Sequence, residues 1–241
     1  MFVSAVIAAG GNSSRMEGGN KLLHEIDGRP VLVKSVEAFL KSEKVNEVVV
    51  VVSAMARDSY ARILSNAGIL GEVRITEGGK TRMESVRLGL HEVSDKTDIV
   101  LIHDAARPFV KEKLIDDCIR AALEYGAACA AVPLTDTLKE ADKNGMVRRT
   151  IPRKNLYCIQ TPQAFMYRDI LKLHEKAAYR GLQVTDDASI AEYFGFEVFL
   201  VESDYSNIKI TTDTDLLLAE ALALNGNDTG AHDTFSTSEK G

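Results

Sequence analysis

Five consecutive valines, Val48 to Val52, lie inside the apolar stretch Val45–Ser53. Side chains branched at Cβ are stiff and suit a pleated surface. A run with no polar alternation leaves neither face for water, so this segment must be a strand covered on both sides. Ile99–His103 and Ala127–Val132 repeat the pattern in shorter form, and Val3–Ala9 is apolar as well. Helical periodicity falls between these runs, at about Val31–Leu40, Met55–Asn66, Thr81–Val93 and Glu112–Tyr125. Strand and helix alternating in this way predict an α/β fold with a mostly parallel sheet between helix layers. Ligands of such sheets bind beyond the carboxyl ends of the strands.

The order changes after Pro133. Asp136–Tyr157 is polar and basic, with Lys139, Lys143, Arg148, Arg149, Arg153 and Lys154, and Asp142-Lys143-Asn144-Gly145 is a turn signal. The segments flanking that turn pair as a hairpin arm, at about 134–160. An arm leaving the domain needs a partner to cover it, which predicts a dimer; a solvated surface excursion fits the same composition. Helical patterns return at about Met166–Arg180 and Asp186–Phe194, followed by strands near Glu197–Val201 and Ile208–Thr211. A last helix begins near Thr212–Asp215 and runs to Leu224. The expectation is one domain over residues 1–224 and a disordered polar tail over 225–241.

Composition narrows the function. The 241 residues carry a formal net charge of -6, which argues against a general nucleic-acid role. Any phosphate site must therefore be a local cluster of Arg and Lys. Cys118, Cys129 and Cys158 are odd in number and lack metal-type spacing, so a reduced, cytoplasmic protein is expected. The first apolar run breaks at Gly10, and neither a signal peptide nor a membrane span is read from the sequence.

Three segments carry the chemistry. The first strand empties into Gly10-Gly11-Asn12-Ser13-Ser14-Arg15, with Lys21 close behind. Glycine and serine after a strand present backbone N–H groups as an anion nest, to which Arg15 and Lys21 add full charges. Neither the dinucleotide fingerprint nor the P-loop pattern is present, so a nicotinamide oxidoreductase is excluded and a nucleoside triphosphate is favoured. The second segment is His103-Asp104-Ala105-Ala106-Arg107-Pro108, at a strand end. Asp104 suits a hard cation such as Mg²⁺, and the fork of Arg107 suits a phosphate oxygen; from this segment alone, an Asp–Arg surface pair capping a turn is the favoured reading. His103 reads as strand-end packing. In the third, Gly78-Gly79 precedes Thr81, a helix cap with Glu84 three residues on, and Ser85 lies on the first turns. Capping accounts for Thr81 and Glu84 but not for the paired glycines or Arg82.

Together, A-A-G-G-x-x-x-R, G-G-x-x-R-x-x-S-V and H-D-A-A-R-P resemble the 2-C-methyl-D-erythritol 4-phosphate cytidylyltransferases, from about Val3 to Leu224. Asp136-Thr137, Arg153, Thr161-Pro162-Gln163, Thr185-Asp186-Asp187-Ala188-Ser189 and Asn207-Ile208-Lys209-Ile210-Thr211 follow in the family's order. The resemblance implies a Rossmann-like three-layer α/β/α nucleotidyltransferase fold with a protruding arm. It implies that Arg15 and Lys21 hold the triphosphate and stabilise the transition state, and that Ala8, Ala9, Gly10 and Gly11 cradle the nucleotide. It further implies that Gly78, Gly79 and Ser85 contact cytosine and ribose, and that Asp104 and Ala105 lie by the metal (Mg²⁺ or another divalent cation) and the ribose. Arg107, Thr137, Arg153, Thr161, Thr185 and Lys209 would line the pocket for the sugar-alcohol phosphate. The implied unit is a homodimer in which the arm carries Thr137 and Arg153 into the neighbouring site. One departure stands out: the family commonly has a proline just before the second base, whereas Gly18-Gly19-Asn20 precedes Lys21 here, predicting a looser loop. Asp186, Asp187, Asp213 and Asp215 read as helix-start carboxylates and are not assigned. A ribitol 5-phosphate cytidylyltransferase and a non-catalytic CTP-binding sensor are the competing readings; Ala105-Ala106 speaks against the first, and retention of both Arg15 and Lys21 against the second.

Overall fold

A computed structural model describes residues 1–10 and 20–227 of the chain. Its central sheet has seven strands: β1 (Val3–Ala9), β4 (Glu47–Val52), β5 (Arg74–Glu77), β6 (Ile99–Asp104), β7 (Ala127–Pro133), β10 (Tyr157–Met166) and β11 (Phe199–Glu202), in spatial order β11-β7-β10-β6-β1-β4-β5. β2 (Glu25–Ile26) and β3 (Arg29–Pro30) form a small ribbon, as do β8 (Leu138–Ala141) and β9 (Val147–Ile151). Only β10 runs antiparallel to its neighbours in the main sheet. The helices are α1 (Val31–Leu40), α2 (Arg57–Asn66), α3 (Arg82–Glu92), α4 (Glu112–Tyr125), α5 (Tyr167–Tyr179), α6 (Asp187–Tyr193) and α7 (Asp213–Asn227).

The valine run behaves as its composition requires. Val48, Val50 and Val52 enter a core built with α1, α2, α4 and α7, while Val49 and Val51 enter a second core built with α3, α5 and α6. All five are buried. Removing each from water contributes roughly 1.5–3 kcal/mol, so one strand anchors both helix layers. Register fixes where the strands stop: Ala8 lies opposite both Val51 and Asp104, and Val52 lies opposite Glu77. The ends of β1, β4, β5 and β6 therefore share one edge of the sheet.

The hairpin forms where the turn signal stands. Leu138 pairs with Ile151 and Ala141 with Val147, and Asp142 Oδ1 accepts the N–H groups of Asn144 and Met146 to shape the turn. Gly145 takes φ 82°, which a side chain would strain. The ribbon pairs only with itself, and Leu138, Met146 and Val147 are exposed along it.

Several expectations change. Ile208–Thr211 is not a strand: β6 already has β1 and β10 on its two edges, and Ile210 N–H bonds only to Ala106 O, at 2.9 Å. Thr161-Pro162 lies within β10, where the sequence reading places no strand. The ladder to β7 shifts register between Ile159 and Gln163, so proline sits where no N–H is needed. The last helix continues to Asn227, past the Leu224 boundary, and residues 228–241 of the expected tail lie outside the described part.

α3 packs on β1 and β4 through a glycine. A Cβ on Gly89 would sit 2.5 Å from Val51 Cγ2 and 2.7 Å from Val6 Cγ1, both in the core. Gly89→Val should lower stability in urea denaturation by about 1–3 kcal/mol, the usual cost of overpacking; an unchanged midpoint would mean that α3 does not rest on the sheet this closely.

Candidate active site

At the shared strand edge a small cavity of about 90 Å³ is walled by Ala8, Ala9, Gly10, Lys21, Ser85 and Ala106, with Arg82, Asp104 and Lys209. A second cavity of about 410 Å³ lies beside it, reached by Arg107, Thr161, Gln163, Thr185 and Asp186. Arg82, Asp104 and Lys209 line both. A larger cavity, about 770 Å³ between α4 and β11, contains none of the residues expected at the site. Its charges also pair among themselves, Lys111 with Asp204 and both Lys113 and Arg120 with Asp117, which leaves little field for an anion.

The first turn of α3 is pressed against the strand ends. Thr81 Oγ1 accepts the Glu84 N–H at 3.1 Å, as the capping pattern requires. Glu84 reaches back to the N–H of Lys80 rather than to that of Thr81, one residue further than the usual box. Ser85 Oγ accepts the Gly79 N–H at 3.1 Å and donates to Thr81 O at 2.8 Å. A Cβ on Gly78 would lie 2.5 Å from Ser85 Oγ, so glycine there has a packing reason independent of any ligand. Ala105 is buried behind the cavity, its N–H bonded to Ala8 O and its carbonyl to Ser35 Oγ, and Ala106 takes its place in the wall.

Lys21 opens a short 3-10 turn, Lys21–Leu23. Asn20 anchors that turn. Its Oδ1 accepts the Leu22 N–H at 3.1 Å and its Nδ2 donates to the buried Tyr60 hydroxyl at 2.6 Å. The proline that the family pattern places before the second base is thus replaced by a side-chain tether to α2. Gly11 and Arg15 lie outside the described residues.

At the centre stands Asp104. Its Oδ1 is 3.0 Å from Arg82 Nε and its Oδ2 2.6 Å from Lys209 Nζ. Burial favours the protonated acid, but the two cations outweigh it and hold the Asp104 carboxyl well below the usual carboxylate range. Arg82 continues inward, with Nη1 2.8 Å from Asp187 Oδ2. Asp187 Oδ1 is 3.2 Å from Nε2 of His174, and both residues are buried. Burial disfavours the charge on Asp187 too, and Arg82 again reverses the balance. The charges alternate from the cavity rim into the core: Lys209, Asp104, Arg82, Asp187. Asp186 caps α6 as expected, through Ser189 N–H, but Asp187 turns inward instead of facing the helix terminus.

Arg107 is buried and donates from Nη1 to Asn207 O at 2.7 Å, while its Nε has no hydrogen-bond partner among the described residues. Burial pulls this guanidinium below its ordinary value, despite the opposing charge of Asp104. Thr185 is exposed at the rim of the larger cavity. Thr161 is buried there, its hydroxyl engaged by Asp104 N–H and His103 Nδ1. Thr137 and Arg153 stand exposed at the base of the arm and line neither cavity; Arg153 donates to Thr135 O. Among the described residues no group of three or more His, Cys, Asp or Glu could hold a metal by itself.

Residues 3–224 match the family model described as IspD, 2-C-methyl-D-erythritol 4-phosphate cytidylyltransferase. The chain belongs to that family. The cytidylyltransferase of this name from Geobacillus kaustophilus is 41% identical over 224 residues, covering 92% of this chain and 97% of that one. The one from Shouchella clausii is 43% identical over 224 residues, covering 92% and 96%. Among solved structures, 4-diphosphocytidyl-2C-methyl-D-erythritol synthase from Anaerococcus prevotii superposes with a TM-score of 0.81 at 32% identity, covering 92% of this chain and 96% of that chain. The cytidylyltransferase of Thermus thermophilus gives a TM-score of 0.78 at 34% identity, covering 93% and 100%. In this cytidylyltransferase family member, the resemblance-derived positions Ala8, Gly10, Lys21, Ser85, Asp104 and Lys209 share one cavity, and Arg107, Thr161 and Thr185 join Asp104 and Lys209 in the next.

Sequence reasoning left out Arg82, Asp187, His174 and Asn207 as site residues. The signal for Arg82 was present, since helix capping did not explain it. His174 sits on the buried stripe of α5 and gives no signal of its own. Removing the guanidinium from the ladder leaves Asp187 charged in the core with only His174 beside it. Arg82→Met should therefore cost about 3–5 kcal/mol in urea denaturation, and adding Asp187→Leu should return most of it. A loss equal in the single and double variants would show that Asp187 does not depend on Arg82.

Proposed function

We propose that the chain transfers the cytidylyl group of CTP to the phosphate of 2-C-methyl-D-erythritol 4-phosphate, releasing pyrophosphate. The observation that carries this reading is the wall of Arg82, Asp104 and Lys209 common to both cavities, one opening on the glycine-rich loop and the other on Arg107. A reaction between two anionic phosphates requires adjacent binding places with cations at their junction.

A phosphate oxygen of the acceptor attacks the α-phosphorus in line, and the bond from that phosphorus to the bridging oxygen of the β-phosphate breaks. The acceptor is already an anion at neutral pH, so no covalent enzyme intermediate is needed. The work left to the protein is neutralising charge and fixing alignment. Lys21 and Arg15 meet the charge that builds on the α-phosphate and on the leaving group. Lys209 and Arg107 hold the acceptor's phosphate.

Asp104 is the residue that would hold Mg²⁺. The donor set fits once Lys209 turns from Asp104 Oδ2 to the acceptor's phosphate: the carboxylate is ionised, stands at the junction, and is the lone carboxylate lining the smaller cavity among the described residues. Mg²⁺ is commonly held by one or two carboxylates plus substrate phosphates and water. When bound it would screen the like charges of the phosphates.

The arm supports a homodimer in this reading. Its exposed Leu138, Met146 and Val147 would be covered by a second copy, and Thr137 and Arg153 would be carried to that copy's site. Three free cysteines suit a reducing, cytoplasmic setting. No helix among the described residues is long and apolar enough to cross a membrane.

The reading is tested by pyrophosphate release from CTP, Mg²⁺ and the methylerythritol phosphate, with ribitol 5-phosphate as the control acceptor. Release with the first acceptor is expected; release only with the second, or with neither, would refute the assignment. Lys21→Ala should reduce the rate at saturating CTP by about 10²–10³-fold, the scale on which a donor aimed at developing charge acts. An unchanged rate would remove Lys21 from the transition state. Arg153→Ala should chiefly raise the KM for the sugar phosphate, and a change confined to CTP would place Arg153 at the other subsite.

A further inference from the structure

We propose that His103 is a positioning residue for the phosphate sites, acting through a closed circuit of hydrogen bonds that locks Asp104 and Arg107 into one unit; the catalytic meaning of this unit rests on the reading above. The imidazole is fully buried at the end of β6. Its Nε2 is 3.0 Å from Arg107 O, a carbonyl that only accepts, so Nε2 carries a proton. Its Nδ1 is 3.0 Å from Thr161 Oγ1. That hydroxyl already accepts the Asp104 N–H at 3.1 Å and has its own proton to give, so in the neutral ring Nδ1 is bare and accepts it.

The circuit closes on the other side. Arg107 Nη1 donates to Asn207 O at 2.7 Å, and Asn207 Nδ2 donates to Thr161 O at 3.0 Å. Starting at Asp104, the path runs through Thr161, His103, Arg107 and Asn207 and returns to Thr161. It joins the end of β6, the bulge of β10 and the segment that precedes Lys209. The residues it fixes are the carboxylate shared by both cavities and the guanidinium that reaches the larger one.

Packing alone does not require histidine here. Phe39 lies against the ring with centroids 4.8 Å apart, and a phenyl group would fill the same space. Phenylalanine would lack the acceptor on one side and the donor on the other. Without them the Thr161 O–H loses its acceptor and the Arg107 carbonyl its donor, and the turn from Asp104 to Arg107 loses this tie to β10. Misplacement by about 1 Å at a reacting centre costs about 10²-fold in rate.

Two variants and one spectrum test this. His103→Phe keeps the ring, and His103→Gln supplies one donor and one acceptor. His103→Phe should fold, with a native circular dichroism spectrum, and lose kcat by about 10²-fold with little change in the KM for CTP. His103→Gln should recover part of that loss. A folded His103→Phe with unchanged kcat would overturn the proposal, as would a Gln variant no better than Phe. If His103→Phe fails to fold, ¹⁵N NMR of the unaltered chain labelled at histidine decides. A bare Nδ1 with a protonated Nε2 is expected, and the opposite tautomer or a doubly protonated ring would overturn the circuit. The spectrum needs no substrate, so it is independent of whether the sugar phosphate assigned above is turned over.

Discussion

One carboxylate organises this molecule's working edge. Asp104 is buried at the end of the central strand pair, where an isolated acid would take up a proton. It stays ionised because Arg82 and Lys209 close on its two oxygens from opposite directions. Those contacts bring α3 and the segment before α7 to the same point. Asp187 then meets the guanidinium from behind and adds α6. The cations so gathered face two cavities at once, which is the arrangement two mutually repelling phosphates require. Ion pairs of this kind are poor contributors to net stability, and their value lies in orientation.

The layered fold was legible because its signals are local and redundant. A valine run buried on both faces, helical periods between apolar strands, and Asp142–Gly145 between pairing segments each point to the same architecture. Ile208–Thr211 misled because alternation reports two unlike faces, whereas strand pairing needs a free sheet edge, and none remained beside β6. Thr161-Pro162 hid its strand for the converse reason: proline usually ends a strand, but a bulge in β10 accommodates it.

The site was legible where residue type and local motif coincide, and illegible where contacts are made over long separations. Lys21, Ser85, Asp104, Arg107 and Lys209 belong to short motifs and line two adjoining cavities. Asp187 looked like an ordinary helix-start carboxylate, because its ion pair with Arg82 spans more than a hundred residues of sequence. His103 read as packing, and it does pack; its two ring nitrogens bond to Thr161 and to the Arg107 carbonyl, neither of which a strand-end pattern reveals. The looser loop expected of Gly18-Gly19-Asn20 rests mostly on residues outside the described part; at Asn20 itself the side chain ties the Lys21 turn to Tyr60.

A structure of the full chain crystallised with CTP and Mg²⁺ tests the central claim most directly. The account predicts the triphosphate against Lys21, with a metal ion joining the phosphates to Asp104 and the larger cavity open beside Arg107. Nucleotide seated elsewhere, for instance between α4 and β11, with Asp104 still closed between Arg82 and Lys209, would contradict it.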